Sequence, residues 1–298
     1  MRLPIDFHFS QGSLQDYVDC PRRFQLRHLM RLAWPAIIAE PPLDNERFMK
    51  QGAAFHRLIQ QHLLGVPFDR LESMNMDPEL RQWWENYLCA QPDPRGGLPE
   101  GLAAALKSSG NLCLTEITLS APLCDHRLVG KFDALVLEGT GTGPCLKIFE
   151  WKTSHKRGNP ESLAKRLQSR VYPYLLVRAS RCFNEGLGIS PHQVEMIYWF
   201  AGFPTQAQCF VYDQKIYAID SEYLESLVLE IEARGETTFP MAREIKTCRY
   251  CTYRSLCERG VRAGDLFDDE IETEAEASLA EEAPGIGFNF EQVGEIRF

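Results

Sequence analysis

No apolar run in this 298-residue chain approaches the roughly 20 residues that cross a bilayer, so a membrane-spanning role is not expected. Met1 to Ser10 lacks the basic-then-apolar order of a secretory leader, which points to a cytoplasmic protein. There is no internal repeat. There is also no Gly-x-x-x-x-Gly-Lys-[Ser/Thr] loop, so ATP-driven work would need a partner. Basic residues are missing altogether from Asp265–Glu282. From Gly264 onward, eleven acidic residues face one basic residue, Arg297, giving −10. Subtracting that from the net −9 leaves +1 for residues 1–263, so the acidity belongs to a tail and the body is near neutral. A near-neutral body can carry a local basic groove, and charge alone neither requires nor excludes a nucleic-acid partner. A hydrophobic content of 44% is enough for a sizeable core.

Ten cysteines is a high count for a reducing compartment, where structural disulfides are rare. Cys89, Cys113, Cys124, Cys145, Cys182 and Cys209 stand singly, mostly within apolar segments, and are expected to be small buried hydrophobes. Cys248-x2-Cys251-x5-Cys257 is different, because clustering at that spacing asks for a metal. A tetrahedral or cubane site needs a fourth thiolate. Cys20 is the candidate, since Pro21, Arg22 and Arg23 set it in what reads as an exposed, polar surrounding. It would staple one end of the chain to the other. Four thiolates suit zinc as well as iron.

Helical patterns come first. A helix capped by Ser13 should run to about Leu32 with a break at Pro21, and others should cover Asn45–Leu64, Pro78–Ala90 and Glu100–Lys107. Strand patterns follow at Leu112–Ala121, Arg127–Leu137 and Leu146–Trp151, the last two joined by a Gly/Thr-rich loop. A long helix from Pro160 to Phe183, strands at Gln193–Phe200 and Ala207–Tyr212, and a helix over Tyr217–Arg234 complete the body. The order predicts an α/β core with a helical N-terminal insertion. We divide it into residues 1–262 (helical part 14–110, catalytic sheet core 111–235, cysteine cluster 236–262), an acidic linker 263–285 and an apolar C-terminal segment 286–298. That last segment could dock on a partner or on the body itself as an added strand.

Two neighbouring strands carry the chemistry. Gly130-Lys131-Phe132-Asp133 lies on the first and Phe149-Glu150-Trp151-Lys152-Thr153 on the second. Residues two apart in a strand share a face, so Glu150 and Lys152 project together while Trp151 turns into the core. Asp133 can lie beside them. An exposed Glu–Lys pair would look the same in sequence. Asp133, however, stands among Phe132, Ala134, Leu135 and Val136, and a carboxylate there is costly without a partner. Two carboxylates and an ammonium in one patch are what phosphodiester hydrolysis needs. The oxygens hold Mg²⁺ or Mn²⁺, and the lysine positions water or meets charge on the phosphate.

Gly-x-x-Asp, then Glu-x-Lys-Thr on the next strand, then Gln168-x-x-x-Tyr172 on the following helix resembles the PD-(D/E)XK nuclease superfamily in its RecB-like branch. Gly52-Ala-Ala-Phe-His56 resembles the upstream helix motif of that branch. The resemblance implies a restriction-endonuclease-like mixed sheet core with flanking helices, in which His56, Asp133, Glu150 and the Trp151 carbonyl hold the metal and Lys152, Gln168 and Tyr172 complete the catalytic set. Glu150 stands where the family more often has Asp, and Ala134 where it often has a basic residue. One N-terminal and three C-terminal cysteines resemble the AddB-type and CRISPR-adaptation-type nucleases, which implies a [4Fe–4S] cluster on Cys20, Cys248, Cys251 and Cys257. The function so implied is a DNA exonuclease on single-stranded or end-opened DNA in repair, recombination or CRISPR adaptation, with a possible helicase or recombination partner. The other class of reading is a non-catalytic iron–sulfur DNA-binding subunit of a helicase–nuclease assembly.

Overall fold

The structure, a computed structural model, describes residues 3–4, 6–33, 42–89, 102–107, 112–140, 143–182, 188–235, 239–249 and 251–260. The expected linker 263–285 and apolar segment 286–298 lie outside them.

The first element is a short strand, β1 (His8–Ser10), whose three residues are too few to show a period in the sequence. Helix α1 (Gln11–Asp19) follows, and its cap is Ser10 rather than Ser13. The two serines exchange backbone and hydroxyl hydrogen bonds in a capping box, so Ser13 is the third helical residue. Cys20 is extended (φ −158°, ψ 100°), and Pro21 restarts the chain as α2 (Pro21–Phe24), running into a π-turn at Gln25–Leu29. The break sits where the missing proline N–H demands it. Helices α3 (Pro42–Leu63), α4 (Phe68–Glu72), α5 (Pro78–Leu88) and α6 (Leu102–Lys107) complete the N-terminal half. Asp77 caps α5 through the amides of Glu79 and Leu80.

Strands β2 (Leu112–Leu123), β3 (His126–Thr140), β4 (Gly143–Lys152), β5 (Val194–Phe200) and β6 (Gln208–Val211) join β1 in one mixed sheet. β2 runs antiparallel along one edge of β3; β1 (parallel) and β4 (antiparallel) share the other edge, pairing with its first and second halves. β5 is parallel to β4, and β6 is antiparallel to β5. The predicted helix over 160–183 is two: α7 (Pro160–Lys165) and α8 (Leu167–Ala179), separated by an extended Arg166. Helix α9 (Gln214–Arg234), capped by Asp213, closes the body.

The sheet is the middle of three layers. One core packs α1, α8 and α9 on one face, with Leu128, Phe132, Leu135, Ile148 and Tyr198 among its members. The other packs α3, α5 and α6 on the opposite face, around Ala134, Val136, Phe149, Trp151 and Trp199. Phe132 and Leu135 lie three apart yet share a core, whereas strict alternation would separate them. The alternation therefore breaks at Asp133. No helix among the described residues is long and apolar enough to cross a membrane.

Candidate active site

The β3–β4 ladder ends at Ala134 opposite Phe149. Beyond that point the strands splay, and the Trp151 amide loses its strand partner on this side. The Asp133 carboxylate replaces it, with Oδ2 accepting the Trp151 N–H at 3.1 Å. On its other edge β4 stays paired with β5 as far as Lys152 and Phe200. The splay is thus held open by a rigid strand on one side and a charged side chain on the other.

As expected from the period of two, Trp151 is fully buried in the α3/α5 core while Glu150 and Lys152 face α8. There Gln168 bridges them: its Nε2 donates to Glu150 Oε2 at 2.7 Å, and its Oε1 accepts from Lys152 Nζ at 3.0 Å. Lys152 Nζ lies 3.7 Å from Glu150 Oε2. The break at Arg166 starts α8 afresh one residue before Leu167, which sets Gln168 in its first turn over the strand. Glu150 is 3% exposed, and its second oxygen, Oε1, has no hydrogen-bond partner among the described residues.

His56 comes from the middle of α3, with Nδ1 3.2 Å from Asp133 Oδ1 and its ring edge-on to Trp151 at 5.8 Å. One turn earlier, a Cβ on Gly52 would stand 3.0 Å from Thr153 Oγ1, so the glycine lets α3 approach the end of β4. Gly130 plays the same part for α8, where a Cβ would meet Leu175 Cδ2 at 2.8 Å. Tyr172, one turn beyond Gln168, is buried with its ring 4.6 Å from Phe132. It packs α8 on the sheet.

A further acidic residue, Glu116 on β2, joins the group. Its carboxylate, one Asp133 oxygen and a His56 ring nitrogen lie within 4.8 Å of one another. Glu116 has φ 53°, the left-handed region, where a strand residue other than glycine is strained. Its register neighbours, Thr115 opposite Ala134 and Ile117 opposite Phe132, place it across from Asp133. Sequence reasoning passed over it. The signal was a charge on the face shared with Leu112 and Leu114.

The electrostatics ask for a cation. Burial and the neighbouring Asp133 charge push the Glu150 carboxyl well above the carboxylate range, against the pull of Lys152. Burial would raise Asp133 too, but His56, Lys152 and the Trp151 amide hold it below the usual value. A buried carboxylate and a half-buried one this close do not both ionise cheaply without further positive charge. Hard oxygen donors, a histidine and an orphaned buried carboxylate oxygen fit a divalent ion such as Mg²⁺ or Mn²⁺.

The cysteines reverse the expectation of burial. Cys89, Cys124 and Cys209 are exposed, and Cys113 and Cys145 are half-buried. Cys20, read as lying in an exposed surrounding, is buried, as are Cys248 and Cys251; Cys257 is half-buried. The reason is local ion pairing. Arg23, which looks like surface charge in sequence, is itself buried against Asp16 at 2.7 Å and Asp19 at 2.5 Å. All four cysteines line one pocket with Arg23, Leu26, Met241, Tyr253 and Arg254. Burial pushes the Cys251 thiol up to about 11 and raises Cys248 and Cys257, where neighbouring thiolate charge adds to it. The ends of the body are also tied directly. The Ala242 amide donates to Cys20 Sγ at 3.3 Å, the Arg22 amide to the Pro240 carbonyl at 3.0 Å, and Tyr253 Oη to the Leu32 carbonyl at 2.9 Å.

A mixed α/β/α sheet with carboxylates and a lysine at a splayed strand end defines a class of metal-dependent phosphodiesterases. The family model of the PD-(D/E)XK nuclease superfamily matches residues 8–258, and the chain belongs to that superfamily. It is a phosphodiester-hydrolysing nuclease of a family that uses divalent metals such as Mg²⁺ and whose fold implies DNA as substrate. Among solved structures, it is similar to a "Putative exonuclease" from Eubacterium rectale at 8% identity and TM-score 0.50, covering 82% of this chain and 87% of that one. It is also similar to the protein SSO0001 at 13% identity and TM-score 0.39, covering 84% of this chain and 85% of that one. No curated protein matches the chain.

Proposed function

We propose that the protein is a RecB-like, divalent-metal-dependent DNA exonuclease acting on single-stranded or end-opened DNA in repair, recombination or CRISPR adaptation, with residues 1–262 as one nuclease domain. The observation that carries the reading is the orphaned Oε1 of buried Glu150 beside Asp133, within a lattice that Gln168 ties to Lys152. His56, Glu116, Asp133, Glu150 and the Trp151 carbonyl would hold the cation, which supplies Lewis acidity at a phosphoryl oxygen and acidifies water. Lys152, fixed by Gln168, orients the attacking water and meets negative charge gathering on the phosphate. Tyr172 positions α8 and with it Gln168. The structural neighbour described as a "Putative exonuclease" supports the exonuclease form of this reading.

For the cysteine pocket we propose a [4Fe–4S] cluster, with zinc as the alternative. Zinc bonds sulfur at about 2.3 Å, so its thiolates stand about 3.8 Å apart. Four thiolates suit either group, and the resemblance of one N-terminal and three C-terminal cysteines to iron–sulfur nucleases favours the cluster. A helicase or recombination partner would supply unwinding.

The test is degradation of 5′- and 3′-labelled single strands with Mg²⁺ or Mn²⁺. The parent should shorten one label progressively, and Lys152→Ala should lose at least about 100-fold in rate. Equal rates in parent and variant would refute the assignment, and cleavage of closed circles would refute the exonuclease form. Visible absorption after anaerobic purification separates iron–sulfur from zinc.

A further inference from the structure

Two lysines stand beside the carboxylates, and they are held differently. Lys152 is 11% exposed and fixed by Gln168 and Glu150. Lys131 lies on β3 two residues before Asp133, is 48% exposed, and forms an ion pair with Glu116, whose side chain is 14% exposed. Register sets Lys131 opposite Thr118, so the pair is a diagonal one across β2 and β3. Glu116 is therefore claimed twice. Its carboxylate belongs to the tight group with His56 and Asp133, and it also neutralises the Lys131 ammonium.

Resting on the metal-centre reading above, we propose that Lys131 is a displaceable counterion of the active site. Its ammonium holds Glu116 while no divalent cation is bound, and leaves for a DNA backbone phosphate when the cation takes Glu116. Three features carry this. A carboxylate facing Asp133 across the strands needs positive charge in either state, and Lys131 supplies it in one of them. The flexible four-carbon stem and half-exposed position let the ammonium swing out without disturbing the sheet. The strained backbone at Glu116 accompanies a carboxylate grouped with Asp133 and His56, a placement that pairing with a lysine alone would not require. Lys131 thus keeps the site near neutral when empty and adds a phosphate contact when loaded.

The experiment is Mn²⁺ titration by calorimetry without DNA, on the parent, Lys131→Met, Glu116→Gln and the double variant. Lys131→Met should bind Mn²⁺ about two- to fivefold more tightly, the size of one partly exposed ion pair. In the Glu116→Gln background the same change should have no effect. With Mn²⁺ saturating and a cleavage-resistant phosphorothioate strand, Lys131→Met should weaken binding and flatten the salt dependence by about one phosphate contact. Unchanged Mn²⁺ affinity in Lys131→Met overturns the proposal, as does equal tightening in the Glu116→Gln background, which would mark a general field effect. An unaltered salt slope overturns it too. A parent that binds no Mn²⁺ would instead refute the metal centre, and the proposal with it.

Discussion

Asp16 and Glu150 are both buried carboxylates, and their surroundings drive them in opposite directions. Burial would raise Asp16, but the bond from His28 and the charges of Arg23 and Arg27 hold it low. Its contribution to stability is therefore present above the unfolded value of about 3.9 and lost as pH falls through the folded one. Glu150 is raised, so the folded chain keeps its proton where the unfolded chain has released it. Stability of the metal-free protein should fall as pH rises above about 4.3 because of this group. Glu150→Gln should abolish cleavage yet melt about 2–4 °C higher than the parent at pH 8 in chelator, equivalent to about 1 kcal/mol. Melts at pH 5 and pH 8 check this, and an identical pH slope in both proteins would count against it. Of these residues, Glu150, Lys152 and Asp133 were legible because a period of two and a neighbouring strand suffice to bring them together. Glu116 was not, since its positive φ leaves no trace in composition. The buried Asp16–Arg23 pairing was hidden as well, because it depends on how the chain reverses at Pro21.

At the scale of elements, the site exists because two helices come unusually near the sheet. Gly130 is the tightest of these approaches. Gly130→Ala would drive a methyl into Leu175 Cδ2 at 2.8 Å, so the fully buried Leu175 side chain must turn aside or push α8 off the sheet. The expected cost is about 1–3 kcal/mol, together with a lower kcat, because Gln168 and Tyr172 move with the helix. Urea unfolding and turnover measure both, and a parental midpoint with parental turnover would show that α8 adapts freely. The sequence made most elements visible through their periodicity, including α3, β3, β4 and α9. It misplaced ends wherever a side chain rather than a pattern sets them, as with the Ser10 cap and the extended Arg166 that divides α7 from α8. The three-residue β1 was too short to show any period. The splay of β3 from β4 was invisible because it depends on the Asp133 carboxylate replacing a strand as the partner of an amide.

For the whole molecule, the order of helical and strand patterns was enough to foretell an α/β core, and the family resemblance supplied the mixed sheet and its flanking layers. The grouping of Cys20 with the C-terminal cysteines came from the polar residues that follow it and from resemblance, and all four line one pocket. The polarity of their surroundings was misjudged, since sequence shows Arg23 but not its burial between two aspartates. Cys20→Ser should abolish visible absorption of the anaerobic protein and lower its melting temperature by roughly 5–10 °C, the span of a few kcal/mol in a chain of this size. Absorption spectra and calorimetry decide this, and a fully coloured variant with the parental melting point would remove Cys20 from the ligand set.

The same pocket imposes an order in time. Cys20 and Cys257 are separated by 237 residues (257 − 20), whereas His56 to Tyr172 encloses the whole proposed catalytic set. At roughly 5–20 residues per second of synthesis, the first thiol waits on the order of ten to fifty seconds for its last companion. During that interval the cutting centre can already assemble while the closure between the two ends cannot. A newborn chain therefore passes through a stage in which an oxidant meets an unprotected sulfur, and the yield of finished nuclease should follow the redox state of the cell at the ribosome.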